Sequence, residues 1–205
     1  MLCVKGTAYV TDYFSDALEV VDLKNNSSKV VKLNTDEMTL SQVRLGEQLF
    51  HDASQCFQQW QSCASCHPGD ARVDGLNCYL MNDVFGNPKN TKSMLYRYFT
   101  TPAMVSGVRP EAKAATRAGF KHIQFHHVAE TDAEAVDAYV KSLKPVPSPY
   151  LHNGKLSKTA KKGKAIFESK SCINCHSGTY FTNGQKYEMG KKGVYDKQNT
   201  WDTPT

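Results

Sequence analysis

Two five-residue stretches hold the reactive side chains of this sequence: Cys63-Ala-Ser-Cys66-His67 and Cys172-Ile-Asn-Cys175-His176. Both read C-x-x-C-H. Two thiols one helical turn apart can add across the two vinyl groups of one porphyrin, and the adjacent imidazole then lies under the iron as its axial ligand. Each motif therefore specifies a covalently attached c-type haem. The sequence predicts two such haems, held by Cys63, Cys66, Cys172 and Cys175, with His67 and His176 as proximal iron ligands. The competing chemistry is structural zinc, because C-x-x-C pairs also build zinc sites. Zinc ribbons, however, place their second pair about 15–20 residues on, and these two pairs stand about 110 residues apart. Each Cys/Cys/His set would also need a fourth ligand. A zinc-stabilised binding module is thus the weaker alternative.

Composition bounds what surrounds these motifs. A chain of 205 residues with 40% hydrophobic content supports one or two small globular domains. The net charge is +5, and Lys158, Lys161, Lys162 and Lys164 gather on one expected helix. Such a run reads first as a solvated face and second as a docking surface for an acidic redox partner. No basic patch is interleaved with aromatics, so nucleic acid is not an expected partner. No apolar run approaches the length of a membrane-spanning helix, and no signal peptide opens the chain at Met1. Because c-type haem is attached outside the bacterial cytoplasm, the expectation is a periplasmic or surface-exposed protein whose natural start precedes Met1. Cys3, Cys56 and Cys78 lie outside the motifs, an odd number for an oxidising compartment. Cys56 and Cys78 flank the first motif and form a candidate disulfide.

The elements that must position the motifs follow in chain order. Residues 5–33 carry short β-branched and aromatic runs separated by Asn, Asp and Ser turns, predicting a three-strand meander. Its A-Y-V-T-D-Y-F-S-D-A-L-E-V-V-D-L stretch resembles a blade of the YVTN-type β-propellers. One blade cannot close a propeller, so this resemblance implies the last blade of a larger repeat array. Residues 39–50 read as a helix, with Val43, Leu49 and Phe50 apolar at helical spacing, and a loop over 51–62 leads into the first motif. The second motif has the same lead-in: Leu45-Gly46-x-x-x-Phe50 corresponds to Lys162-Gly163-x-x-x-Phe167. That is an internal repeat. After the first motif the chain is rich in loop signals up to a closing helix, for which Thr131 and Glu134 form an expected capping box and Val136, Tyr139, Val140 and Leu143 the apolar stripe. Pro145, Pro147 and Pro149 form a stiff linker, and Ser157 caps the helix before the second motif.

The order helix, C-x-x-C-H, loops, closing helix matches a class I cytochrome c fold. Two such domains in tandem resemble the bacterial di-haem cytochrome c peroxidase/MauG family over about residues 39–205. R-V-D-G-L-N-C-Y at 72–79 and P-K-N-T-K-S-M at 88–94 look like that family's D-G and N-T-x-S-L segments, and Trp201-Asp202-Thr203-Pro204-Thr205 resembles the start of the matching segment in the second repeat. The fold class expected is mainly α: tandem cytochrome c-like haem domains with a short N-terminal β-meander. The divisions are 1–36 for the meander, 37–147 for the first haem domain and 148–205 for the start of a second, incomplete one.

A distal ligand for the first haem is expected from the loop before the closing helix. His122 is the first choice, with Met104, His126 and His127 as alternatives, while Met81 and Met94 read as core. Met189 is the methionine available to the second haem. The resemblance implies two functions. An electron carrier would have both irons six-coordinate, passing electrons between a donor and an acceptor protein. A peroxidase would keep one iron open to hydrogen peroxide and needs a distal acid/base group, for which Glu188 is the candidate. Family members with a switchable ligand carry His after the first motif, where Asn82 or Asp83 stands here. The electron carrier is therefore the primary reading. Trp60 and Trp201 are placed either against the porphyrins or on a path between them.

Overall fold

The computed structural model describes residues 1–34, 39–72, 77–78, 89–190, 193 and 199–204. The chain divides into two compact units, Met1–Ser41 and Gln42–Thr205.

The first unit is an antiparallel meander of four strands in sequence order: β1 (Leu2–Val4), β2 (Thr7–Asp12), β3 (Ala17–Asp22) and β4 (Ser27–Lys32). The expected three strands are present with one more before them. Lys5 and Gly6 both have positive φ (46° and 84°), the geometry of a two-residue hairpin whose twist matches its strands. That turn folds Leu2–Val4 back onto Thr7–Tyr9. Register pairs Ala8 with Val21, Val10 with Glu19 and Leu18 with Val31. Successive residues face opposite sides, so apolar side chains occur on both faces of the sheet. Asp22 closes the last hairpin by accepting from Lys24 N at 2.9 Å and Asn25 Nδ2 at 2.8 Å.

The second unit is built on two helices that cross closely. Helix α1 (Gln42–His51) buries Gly46, Leu49 and Phe50. Its partner is the closing helix, which becomes α4 in the full order. Between them come α2 (Cys63–Cys66), the short pair β5 (Asn77–Cys78) and β6 (Lys89–Asn90), and α3 (Ala112–His122). Helix α4 spans Glu130–Ser142. A Cβ on Gly46 would lie 1.9 Å from Ala135 O and 2.9 Å from Tyr139 Cβ, so the α1–α4 crossing has no room for a side chain at that position. Around it Leu49, Phe50, Ala71, Phe120, Val136 and Val140 form the core. Full burial of side chains of this size contributes roughly 1.5–3 kcal/mol each.

Helix α4 starts one residue before the expected cap. Its N-cap is Ala129, with no side-chain cap bond, and Thr131 lies inside the first turn. Glu130 is occupied elsewhere, pairing with Arg117 Nη2 of α3 at 2.7 Å. Arg117 Nη1 also donates to the buried Asp137 at 2.6 Å, and Tyr98 OH donates to the same carboxylate. Burial and the Asp137 carboxylate push the Tyr98 phenol well above its ordinary range. This polar network ties α3 to α4. Helix α3 itself replaces the loop expected there.

After α4 comes α5 (Lys158–Ser169), capped as expected by Ser157 Oγ, which accepts from Ala160 N at 3.1 Å. The strands β7 (Lys186–Glu188) and β8 (Thr200–Asp202) pair antiparallel behind the second motif. Five α-helices and three small antiparallel sheets thus share the described residues. Among them no helix is long and apolar enough to cross a membrane.

Candidate haem sites

The first motif forms α2, a single turn. Ser62 N donates to Ser65 Oγ at 3.0 Å and His67 N closes the turn onto Cys63 O at 2.9 Å. The His67 ring is fixed from far away: its Nδ1 bonds Lys92 O at 2.8 Å, across 25 residues of sequence. With Nδ1–H donating to a carbonyl, Nε2 is left as the lone-pair nitrogen, which is the form a metal ligand requires. Burial holds the His67 pKa below the ordinary histidine value, with the Lys92 carbonyl opposing it, and this favours the neutral ring. The carbonyl is itself positioned, because Met94 N donates to Ala71 O at 2.8 Å. Phe50 of α1 packs with its ring centroid 6.5 Å from that of His67.

Gln124, 3% exposed, pins the other end of the turn. Its amide accepts from Cys63 N at 3.1 Å and donates to Gln55 O at 2.9 Å. Burial, with Cys66 adding to it, pushes the Cys63 thiol up to about 12. Among the described residues no three His, Cys, Asp or Glu side chains converge as a metal-binding group. Two cysteines and one histidine are the donor set of a covalently attached porphyrin, whereas a structural zinc site needs a fourth ligand.

The second motif repeats this pattern on a smaller scale. His176 N closes onto Cys172 O at 2.9 Å, and Phe167 of α5 sits 6.4 Å from the His176 ring. His176 Nδ1 bonds Phe181 O at 3.1 Å, only five residues on. Asn183 braces the turn, donating from its backbone to Cys175 O at 3.0 Å and from its side chain to Asn174 O at 3.1 Å. Cys172 is exposed here.

The two motifs are joined within this unit by contacts absent from the sequence reading. Tyr180, four residues after His176, stacks on Phe99 with centroids 5.6 Å apart and lies 5.0 Å from Tyr96. Asp202 N donates to Val105 O at 2.9 Å, and its buried carboxylate faces Arg97 Nη1 at 3.9 Å. Burial raises the Asp202 pKa, while Lys92, Arg97 and Lys186 pull it back. Burial and Arg97 lower that of Lys92, with Asp202 opposing. A Cβ on Gly184 would meet Thr101 O at 2.7 Å, so the two segments touch backbone to backbone.

Other sequence candidates fall as follows. His122 lies in the last turn of α3 and not in a loop; His126 and His127 are in the connection to α4, with His126 N bonded to Phe120 O at 3.0 Å. Met104 is half-buried at a positive φ of 74° inside the Ala103–Arg109 turn. Met94 packs on the core as expected. Met189 and Glu188 are exposed. Trp60, in the loop before the first motif, is 60% exposed and packs against Phe125 of the connection before α4. Trp201 is half-buried in β8. Cys56 is a free, buried thiol, so the disulfide expected of it is not formed. Met81, Asn82 and Asp83 lie outside the described residues. Lys92, Gln124 and Asp202 were missed as site residues, although Lys92 and Asp202 fall in the two segments whose pattern had been singled out. For Gln124 no local signal exists, because its partner is 61 residues away.

Comparison with known proteins gives these arrangements a setting. The family model described as di-haem cytochrome c peroxidase matches residues 40–162. Hydrazine synthase subunit gamma of Kuenenia stuttgartiensis is 26% identical over 168 residues, covering 72% of this chain and 48% of the relative. The chain thus spans about half the length of that curated relative. Among solved structures, Kuenenia stuttgartiensis hydrazine synthase superposes with a TM-score of 0.69 at 22% identity, over 85% of this chain and 73% of that one. A MauG-like protein associated with microbial copper homeostasis gives 0.57 at 15% identity, over 85% and 68%. At these identities the two structures speak to fold alone.

Proposed function

The chain belongs to the di-haem cytochrome c peroxidase family, and from that premise we propose that it is a di-haem c-type cytochrome module that carries electrons between redox partners. The observation that carries this reading is the paired geometry of the motifs. In each, a C-x-x-C turn ends in a histidine whose Nδ1 is engaged by a backbone carbonyl, at 2.8 Å and 3.1 Å, which turns Nε2 toward a metal. Haem bound there supplies a one-electron couple whose potential depends on axial ligand and surroundings. The protein's own part is to hold both histidines oriented, keep water from the first site by the Phe50–Ala71–Val136 core, and join the sites through Tyr180 and Asp202. His122 is the first candidate for a distal ligand at the first iron and Met104 the second. The four exposed lysines of α5 offer an acidic donor or acceptor a docking face. An extracytoplasmic location follows from the attachment chemistry, and the Met1–Ser41 meander is proposed as a propeller blade, a reading supported by its four-strand order and its two apolar faces.

A second reading rests on a separate observation, the 26% identity to a hydrazine synthase gamma subunit over 72% of this chain. On that reading the module is one subunit or segment of a multi-component redox enzyme, and its electrons serve chemistry at a partner. Reduction of hydrogen peroxide is the family's third option.

The test is absorption and EPR spectroscopy of the protein produced with c-type haem maturation. Two haems per chain are expected, falling to one in C63A/C66A and to one in C172A/C175A. No covalent haem would overturn the assignment. Two low-spin irons indifferent to peroxide identify a carrier, and a high-spin iron that reacts with peroxide identifies a peroxidase.

A further inference from the structure

Both proximal histidines take their aim from a carbonyl, and the two carbonyls belong to segments that touch each other. Lys92 O meets His67 Nδ1 at 2.8 Å, and Phe181 O meets His176 Nδ1 at 3.1 Å. Shortly after Lys92, Tyr96 opens a single 3₁₀ turn over Arg97–Phe99, closed by Phe99 N donating to Tyr96 O at 2.8 Å. Side chains three apart eclipse on such a turn, so Tyr96 and Phe99 present their rings together. Tyr180, the residue before Phe181, packs on both. Its ring is stacked on Phe99, with centroids 5.6 Å and planes 14° apart, and lies 5.0 Å from Tyr96. The next ring goes to a different partner: Phe181 meets Phe167 of α5 edge-on at 6.1 Å. The Phe181 carbonyl is therefore flanked by two aromatic anchors, one on the first motif's segment and one on the second motif's own helix. Both segments adopt backbone that bulky residues rarely take, with φ of 61° at Tyr96 and 52° at Phe181. Such a conformation persists only where the surroundings over-determine it. The local turn supplies Phe181 with one long backbone bond, N to Gly178 O at 3.3 Å.

We propose that Tyr180 is a positioning residue for the second iron ligand, holding the Phe181 carbonyl against His176 by its stack on Phe99 and Tyr96. One segment, 92–99, then aims both imidazoles: His67 directly through Lys92 O, and His176 at one remove through the aromatic stack. The inference rests on the di-haem reading above. A turn that shaped itself would leave His176 indifferent to any change in 92–99. A shared strap makes a substitution on the first motif's segment felt at the second motif's histidine and not at its own.

The experiment is NMR of the full chain with its haems attached and its histidines isotope-labelled, for the unsubstituted protein, Y180A, Y180F and F99A. The readout is the rate at which each proximal Nδ1–H exchanges with solvent in the ferrous state. Haem content is measured first. Fewer than two haems in the unsubstituted protein defeats the di-haem reading, a separate result, and the same rates are then read in the haem-free chain. An aromatic contact of this kind shifts a local opening equilibrium by about two- to tenfold. Y180A is expected to speed exchange at His176 by that factor and F99A to follow in the same direction, with His67 unchanged in both. Y180F keeps the ring and is expected to match the unsubstituted chain. Equal His176 rates in all four proteins overturn the proposal, as does a joint rise at both histidines. A rise in Y180F equal to that in Y180A overturns it too. Should Y180A misfold, F99A decides alone, since Phe99 is 56% exposed and outside the core. Faster exchange at His176 only then supports the strap, and no change overturns it.

Discussion

The two C-x-x-C-H regions share their local rules and differ in everything that takes long-range contact. In both, a phenylalanine of the preceding helix sits near the histidine ring, at 6.5 Å and 6.4 Å, and Nδ1 meets a carbonyl. Yet the carbonyl comes from 25 residues away in the first and five in the second. Gly46 is pressed against Ala135 of α4, whereas the corresponding Gly163 has nothing within 4 Å. Helix α1 buries three residues and α5 none. Five residues of sequence are therefore enough to shape the turn, while a carbonyl from outside the motif aims the ring. Drying the site takes a second helix laid across the first.

That contrast can be broken in graded steps. Phe50→Ala is expected to cost about 4 kcal/mol in urea unfolding, and Phe167→Ala no more than about 1 kcal/mol, because only the first leaves a cavity in a packed core. Gly46→Ala follows at about 3 kcal/mol, since neither the Ala135 carbonyl nor the Tyr139 Cβ can yield without separating the helices. The same change at Gly163 is expected to stabilise by about 0.5–1 kcal/mol, through helix propensity in open space. Equal costs at the two glycines, read from urea midpoints, would remove the distinction. Asn183→Ala should raise the amide exchange of the 172–176 turn while leaving that of 63–67 unchanged, because its bonds reach Asn174 and not the first motif. The smallest effect is on pH. Arg117 holds the Glu130 carboxyl below its ordinary value of 4.5. A depressed acid stabilises the folded state above its unfolded pKa and loses that contribution as pH falls through the folded one. Melting curves of E130Q should therefore separate slightly from those of the unsubstituted chain above about pH 5 and converge on them as the pH falls through the folded-state pKa of Glu130.

The sequence was most informative where one element carries its own instructions. The apolar spacing of α1, the Ser157 cap and the repeat of Gly-x-x-x-Phe before each motif were all legible, and each rests on contacts within a few residues or on a helical period. Helix α3 was hidden because its buried residues are mostly small, Ala112 and Ala118 with Phe120, a faint stripe beside loop-forming Pro110 and Gly119. The α4 cap was misplaced because Glu130 pairs with Arg117, a partner in another helix. Strand β1 was missed because three residues give too little alternation to notice, and its place is fixed by the Lys5–Gly6 turn. The Lys92 carbonyl and the Gln124 amide join chain positions far apart, and a pattern search along one dimension has no access to such pairs.

The bond from His67 to Lys92 has an evolutionary corollary. It closes a ring of chain whose two anchors are fixed at the iron ligand and at the carbonyl that holds it. The entropy of closing such a ring grows only with the logarithm of its length, about 0.6 kcal/mol for each doubling. Segments inserted or deleted between the anchors thus leave the aim of the imidazole almost untouched. Length can thus change between Ala71 and Lys92, the residues that anchor the two ends, while the imidazole stays where it was.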